Sequence, residues 1–302
     1  MGCSTWGVEH AHLRTRDIAL LPLPVLTWID LAPIYLIGAV LLVFMLAATY
    51  LGFRMRIRLE NESEDEISRK WRADYDGYIV TAVLGLLALL LGFTFSLAIG
   101  RYEERRQLVV AEANAIGRAY LRTQLLEAPH RQRLDQLLMT FTDEEIALGT
   151  VNYRPAAQRL LVQDDLVITN IWAATAAAID GTKSTPIAMS LIQAINDVID
   201  ENAARRAVRS ARIPTEVFAI LFVYLVGTAA VLGYVLAFGH GRFAAAFLLV
   251  LLCISLLLII DIDRPASGGI REPQEAMQEV RFMMRSQPAQ VYDRWRTDAL
   301  RR

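Results

Sequence analysis

Four uncharged stretches, each long enough to cross a bilayer, are set in two pairs around a polar insert. They fall at about 31–53, 78–100, 217–238 and 243–260, with the insert between the second and third. At 1.5 Å of rise per residue, a helix of about 20 apolar residues matches the ~30 Å hydrocarbon layer. None of the four carries a charge in its interior. Each central Leu, Ile, Val or Phe favours insertion by about 0.3–0.6 kcal/mol, so all four are expected to partition into lipid. The chain therefore reads as an integral, multi-pass membrane protein.

Hydrophobic residues make up 54% of the 302-residue chain, and the 21% that is charged is segregated into the insert, the first loop and the tails, with Arg242 alone between spans three and four. The net charge of −1 gives no bias towards nucleic acid, and no basic or aromatic-rich nucleic-acid module is visible. Cys3 and Cys253 are too far apart in sequence for a disulfide framework, and neither has metal-type spacing. Cys253 reads as a small apolar residue within the fourth span. The N-terminus begins Met1-Gly2-Cys3-Ser4-Thr5-Trp6, with Trp6 where a myristoylation site needs Ser or Thr. Ile18–Ile29 reads as an interfacial segment leading into the first span, not a cleaved signal peptide.

Basic residues near the span ends set orientation. They are more numerous on the side holding both termini and the insert, although Arg54, Arg56 and Arg58 lie opposite. Both termini and the insert are thus expected in the cytoplasm, and the protein in the cytoplasmic membrane. Three parts follow: an N-terminal segment 1–30, a membrane-and-bundle domain 31–272, and a C-terminal tail 273–302.

The insert, 101–213, reads as helices almost throughout. Breakers at Ala128-Pro129, Gly149, Gly181–Pro186 and Ile213-Pro214 divide it into four. Leu134, Leu137, Leu138 and Phe141 recur at helical spacing, as do Ile187, Leu191, Ile195, Val198 and Ile199. Each helix has one face to bury, which predicts a helical bundle below the membrane. The fold class is all-α: four transmembrane helices with a cytoplasmic helical bundle between spans two and three.

Enzymatic constellations are missing. No phosphate-binding loop, nucleophile elbow, His-Glu-x-x-His or Cys-x-x-Cys occurs, and His10-x-His12 reads as a surface pair. No cofactor and no metal are expected. Asp261-x-Asp263 reads as an interfacial cap of the turn at Arg264-Pro265, in preference to a cation site.

The second span is the candidate functional element. Leu86, Leu89 and Phe93 share one face, with Ser96 and Gly100 close to it, and Arg101 and Arg105 follow at its inner end. Two readings are open: a helix packed on its neighbours with basic anchors, or a pore-lining helix with a hydrophobic neck above a basic inner mouth. Deeper in, Asn114 either pins a neighbouring helix, the favoured reading, or lines a vestibule. Glu112 is expected to point into the bundle and pair with Arg118 or a basic residue of the last helix.

Gly92-Phe93, then seven residues, then Arg101-Tyr102-Glu103 resembles the second membrane helix of bestrophins. Phe53-Arg54-Met55-Arg56 before an acidic loop, Ile213-Pro214, and Asp263-Arg264-Pro265 agree in order. Glu112-Ala113-Asn114-Ala115-Ile116-Gly117-Arg118-Ala119-Tyr120-Leu121 and Asp261-Ile262-Asp263-Arg264-Pro265-Ala266-Ser267-Gly268-Gly269-Ile270 are similar to a bacterial family described as bestrophin-like. The resemblance implies a homopentameric channel for small inorganic anions such as chloride. Its neck would comprise Leu86, Leu89, Phe93 and Ser96, its inner mouth Arg101 and Arg105. Glu112, Asn114, Asp261 and Asp263 would be structural. Gly85 stands where bestrophins have a bulky residue, and the stretch after the last span lacks the acidic run that clasps calcium in eukaryotic members. The alternative is a non-conducting membrane protein whose bundle binds a partner or transmits a signal.

Overall fold

The computed structural model describes residues 32–60, 66–151, 154–180, 184–236, 241–264 and 269–299. All regular structure among them is helical. The helices are α1 (Ile34–Glu60), α2 (Glu66–Thr123), α3 (His130–Thr150), α4 (Arg154–Asp180), α5 (Thr185–Ser210), α6 (Thr215–Val235), α7 (Gly241–Asp263), α8 (Glu275–Ser286) and α9 (Ala289–Ala299). Cys3, the His10-x-His12 pair and Ile18–Ile29 lie outside the described residues.

Prolines set the boundaries. Pro129 precedes α3, Pro186 sits in the first turn of α5, and Pro214 precedes α6. Proline has no N–H to donate, which costs nothing in a first turn and prevents continuation of the helix before it. Among the described residues, four helices (α1, α2, α6 and α7) are long and apolar enough to cross a membrane.

α2 organises the molecule. Its 58 residues make a rod about 87 Å long. One stripe along it is buried from Leu87 to Ile116: Leu87, Leu91, Thr94 and Ala98, then Arg105, Val109, Glu112 and Ile116. The first part of that stripe packs in a membrane core with Leu41 and Met45 of α1, Leu221 and Leu225 of α6, and Leu249 and Leu256 of α7. The second part packs in a bundle core with Leu134, Leu138 and Phe141 of α3, Ile171 of α4, and Leu191 and Ile195 of α5.

The two cores are held differently. Each large side chain buried in the bundle contributes about 1.5–3 kcal/mol by leaving water. Between helices in lipid that drive is lost, and close packing takes its place.

The segment after 272, set apart above as a tail, is part of the bundle. Met277, Val280 and Met284 of α8 lie in the bundle core. Tyr120 donates its hydroxyl hydrogen to the main-chain oxygens of Met284 and Gln287, at 3.3 and 2.8 Å. Both guanidinium Nη atoms of Arg131 reach the Asp293 carboxylate of α9 at 2.7 Å.

Candidate functional site: the outward face of the second span

Opposite its buried stripe, α2 presents a face that no part of the described chain covers. Leu86 is 44% exposed, Leu89 54% and Phe93 66%, whereas Leu87 on the inner stripe is fully buried. Ser96 and Gly100 are exposed on the same side. A β-carbon built on Gly85, Gly92 or Gly100 would meet nothing within 4 Å. The four residues expected in a neck therefore share one outward surface of the single chain, flanked by backbone that another helix can approach closely.

The expected basic mouth is not on that surface. Arg105 is only 2% exposed. Its guanidinium donates to the main-chain oxygens of Ile262 at 2.7 Å and Asp263 at 3.2 Å, satisfying carbonyls that α7 leaves unpaired at its C-terminus. Arg105 therefore ties α2 to α7 and is unavailable to line an opening. Arg101 is half-buried beside the inner stripe, with its Nε inside the protein. The cause is helical geometry. Arg105 follows Leu89 by sixteen residues, which turns it about 160° away at 100° per residue.

What continues the outward face beyond Gly100 is Glu103, Gln107, Asn114 and Arg118. Glu103 accepts from Arg106 at 3.0 and 3.3 Å and from Gln107 at 3.2 Å. Arg118 pairs with Asp197 of α5 at 3.5 Å. Asn114 is exposed rather than set between helices of one chain.

Of the remaining expected polar residues, Asp263 is buried and Asp261 half-buried. Asp263 accepts from the Ile213 main-chain N–H at 3.1 Å, fixing the entry to α6. Asp261 accepts from the N–H groups of Gly269 and Ile270, at 2.9 and 3.0 Å. The two carboxylates thus hold separate backbone segments.

Glu112 points into the bundle, within the insert and outside the spanning stretches, and meets a cluster that sequence reasoning missed. Arg205 of α5 donates from Nη1 to Glu112 at 2.6 Å and to Glu145 of α3 at 2.9 Å. From Nε it donates to Glu272, in the segment between α7 and α8, at 3.1 Å. From Nη2 it reaches Gln274 at 3.2 Å. Asn202 donates its amide hydrogens to the other oxygens of Glu112 and Glu145, at 3.0 and 3.1 Å. All four charged side chains are at most 3% exposed. Burial pushes Glu112 up to about 7, with Glu145 adding to the rise and Arg205 opposing it. Burial raises Glu145 to about 7 as well, against the pull of Arg205. Burial works against the Arg205 charge, yet Glu112, Glu272 and Glu145 keep its pKa above the ordinary value.

A sequence signal for this cluster exists. Glu145 stands in an apolar stripe between Phe141 and Leu148, and Asn202 and Arg205 extend the stripe of Leu191, Ile195 and Val198. Charged residues at core positions of amphipathic helices are either paired inside or incompatible with the fold.

The family model for the bestrophin-like domain matches residues 39–276. No curated protein matches the chain in sequence. Among solved structures, a bacterial bestrophin homologue from Klebsiella pneumoniae carrying a point mutation superposes with a TM-score of 0.58 at 15% identity, covering 80% of this chain and 97% of that one. The same homologue phased on zinc gives 0.58 at 15% identity, covering 80% and 96%. A crystal structure described only as a membrane protein gives 0.59 at 13% identity, covering 83% and 97%. At these identities the likeness is one of fold.

Proposed function

Because the chain belongs to the bestrophin-like family, we propose that it is a channel of the anion-conducting type, built from several copies around the outward face of α2. The observation that carries this reading is the exposure of Leu89 and Phe93 on the face opposite the buried stripe. Packed around an axis, these side chains form an apolar constriction that dry closure can gate.

Apolar surface elsewhere supports assembly from copies. Val162 and Leu166 on the outer face of α4 are exposed although they belong to the bundle. Contiguous apolar surface in water marks an interface. Five copies, chloride as the permeant ion, residence in the cytoplasmic membrane, and a cytoplasmic bundle with both termini on the same side complete the proposal. No catalytic role is assigned.

The mouth is revised from the sequence expectation. With Arg105 inside the protomer, the first charge on the proposed lining after Ser96 is Glu103, partly neutralised by Arg106. That residue favours a second reading in which cations also pass.

The test is flux from vesicles carrying the reconstituted protein, with chloride compared against sodium. Leu89→Ala and Phe93→Ala are expected to raise conductance several-fold by widening the constriction. Well-folded, assembled protein that passes neither ion overturns the channel reading.

A further inference from the structure

Arg54, Arg56 and Arg58 stand at the end of α1 remote from the bundle, against the balance of basic residues that orients the spans. Their side chains divide into two sets. Arg56 turns inward. It pairs with Asp76 of α2 at 2.5 Å, and its guanidinium carbon lies 5.0 Å from the centre of the Tyr234 ring of α6. Arg54 and Arg58 lie one turn apart on the outward side, both exposed, and among the described residues neither forms an ion pair. Two positive charges are thus left over at the membrane boundary, a level marked by exposed Tyr50 of α1 and by Tyr75 and Tyr78 of α2.

Two cavities meet beside them. One, of 390 Å³, opens between α1, α2 and α6 and is walled by Leu51, Met55, Ile79, Val231 and Val235. The charged residue in that wall, Asp76, is the partner of Arg56, so its charge is already matched. The other is a groove of 620 Å³ along α1 that runs from Tyr50 to Leu59 and carries Arg54 and Arg58. Leu51 and Met55 line both, so the apolar crevice and the basic groove are continuous. From Tyr50 to Arg58 the helix advances about 12 Å, and over that length its surface changes from apolar to cationic.

We propose that crevice and groove together hold a phospholipid of net negative charge, with an acyl chain in the crevice and the headgroup phosphate on Arg54 and Arg58. The planar, forked donors of arginine match phosphate oxygens, and the bonds they make are charge-assisted. A small anion from water would use the two guanidiniums and leave the crevice empty. Filling both parts takes an amphiphile, and the bilayer around α1 supplies one. The site also gives a use to arginines placed where the orientation of the spans disfavours them. The inference is independent of ion conduction and requires only that α1, α2 and α6 span a membrane.

Native mass spectrometry of the assembled protein, titrated in detergent with dioleoylphosphatidylglycerol or dioleoylphosphatidylcholine, tests this. The two lipids have the same chains and differ in headgroup charge. The unmutated protein is expected to hold the anionic lipid about tenfold more tightly, the order set by two arginines at an anionic surface. In the Arg54→Gln/Arg58→Gln double variant that preference is expected to disappear, with weak binding of both lipids remaining. Both side chains are exposed and make no ion pair, so the fold does not depend on them. Val231→Phe changes no charge but fills the crevice, and is expected to weaken binding of both lipids. Inorganic phosphate at equal concentration is expected to leave bound lipid in place. Equal affinity for the two lipids, a preference that survives in the double variant, binding indifferent to Val231→Phe, or displacement by phosphate overturns the proposal. So does an assembled protein that retains neither lipid, the result if a second copy of the chain covers this face.

Discussion

Gly233 of α6 lies so close to Thr49 of α1 that a β-carbon added to it would sit 2.1 Å from the Thr49 main-chain oxygen. One turn away the relationship is reciprocated, with Gly52 placed 2.0 Å from the Ala230 oxygen by the same measure. Thr49 adds a hydroxyl hydrogen bond to the Ala229 oxygen at 3.1 Å. This is the small-residue contact through which helices associate in lipid, where backbones must touch for packing forces to act.

Gly52→Ala and Gly233→Ala are each expected to lower the thermal midpoint in detergent, since the neighbour is rigid backbone. Over-packing of this kind costs about 1–3 kcal/mol, occasionally more. Gly227→Ala is the control on the same helix, because nothing lies within 4 Å of its β-carbon position, and its midpoint is expected to match the parent protein.

Arg105→Gln separates a structural arginine from a mouth-lining one. The substitution strips charged donors from Ile262 and Asp263, and hydrogen bonds of that kind are worth about 1.5–3 kcal/mol. A lower thermal midpoint with unchanged reversal potential is the expected result. A shifted reversal potential in stable protein contradicts the burial of this side chain.

Glu103→Gln acts on the proposed lining itself. Removing its charge is expected to shift the reversal potential towards anions, and Arg106→Gln to shift it the other way. Both shifts are expected to shrink in high salt, because the pair is exposed to solvent and screened.

Arg205→Ala leaves three buried carboxylates without their cation. Breaking a buried ion pair in this way costs about 3–5 kcal/mol at neutral to alkaline pH. The loss is expected to be smaller at pH 5. Burial raises the pKa of Glu112 and Glu145, so the folded protein keeps them protonated there and the missing cation matters less. Chemical denaturation at pH 5 and pH 8 measures the difference.

The spans are legible because lipid accepts only long unbroken apolar runs, and the helix ends because Pro129, Pro186 and Pro214 forbid continuation. Periodicity likewise groups Leu86, Leu89, Phe93 and Ser96 on one side of α2. It fails at Arg105 because proximity in sequence was read as proximity in space, although sixteen residues carry that side chain round to the other side. The Arg205 cluster is hidden for a different reason. Glu112 and Arg205 alone are 93 positions apart, and in a polar insert a charge looks like solvated surface until its place in an apolar stripe is noticed.

α2 runs without a break from the membrane core to the bundle, clamped in both along the same stripe. Glu112 and Leu89 are thereby joined by a stiff shaft about 35 Å long. A flexible linker would pass on tension alone, but a shaft passes on torque. Any swivel of the bundle about this axis is delivered to Leu89 and Phe93 as a rotation of equal angle, with no hinge to absorb it.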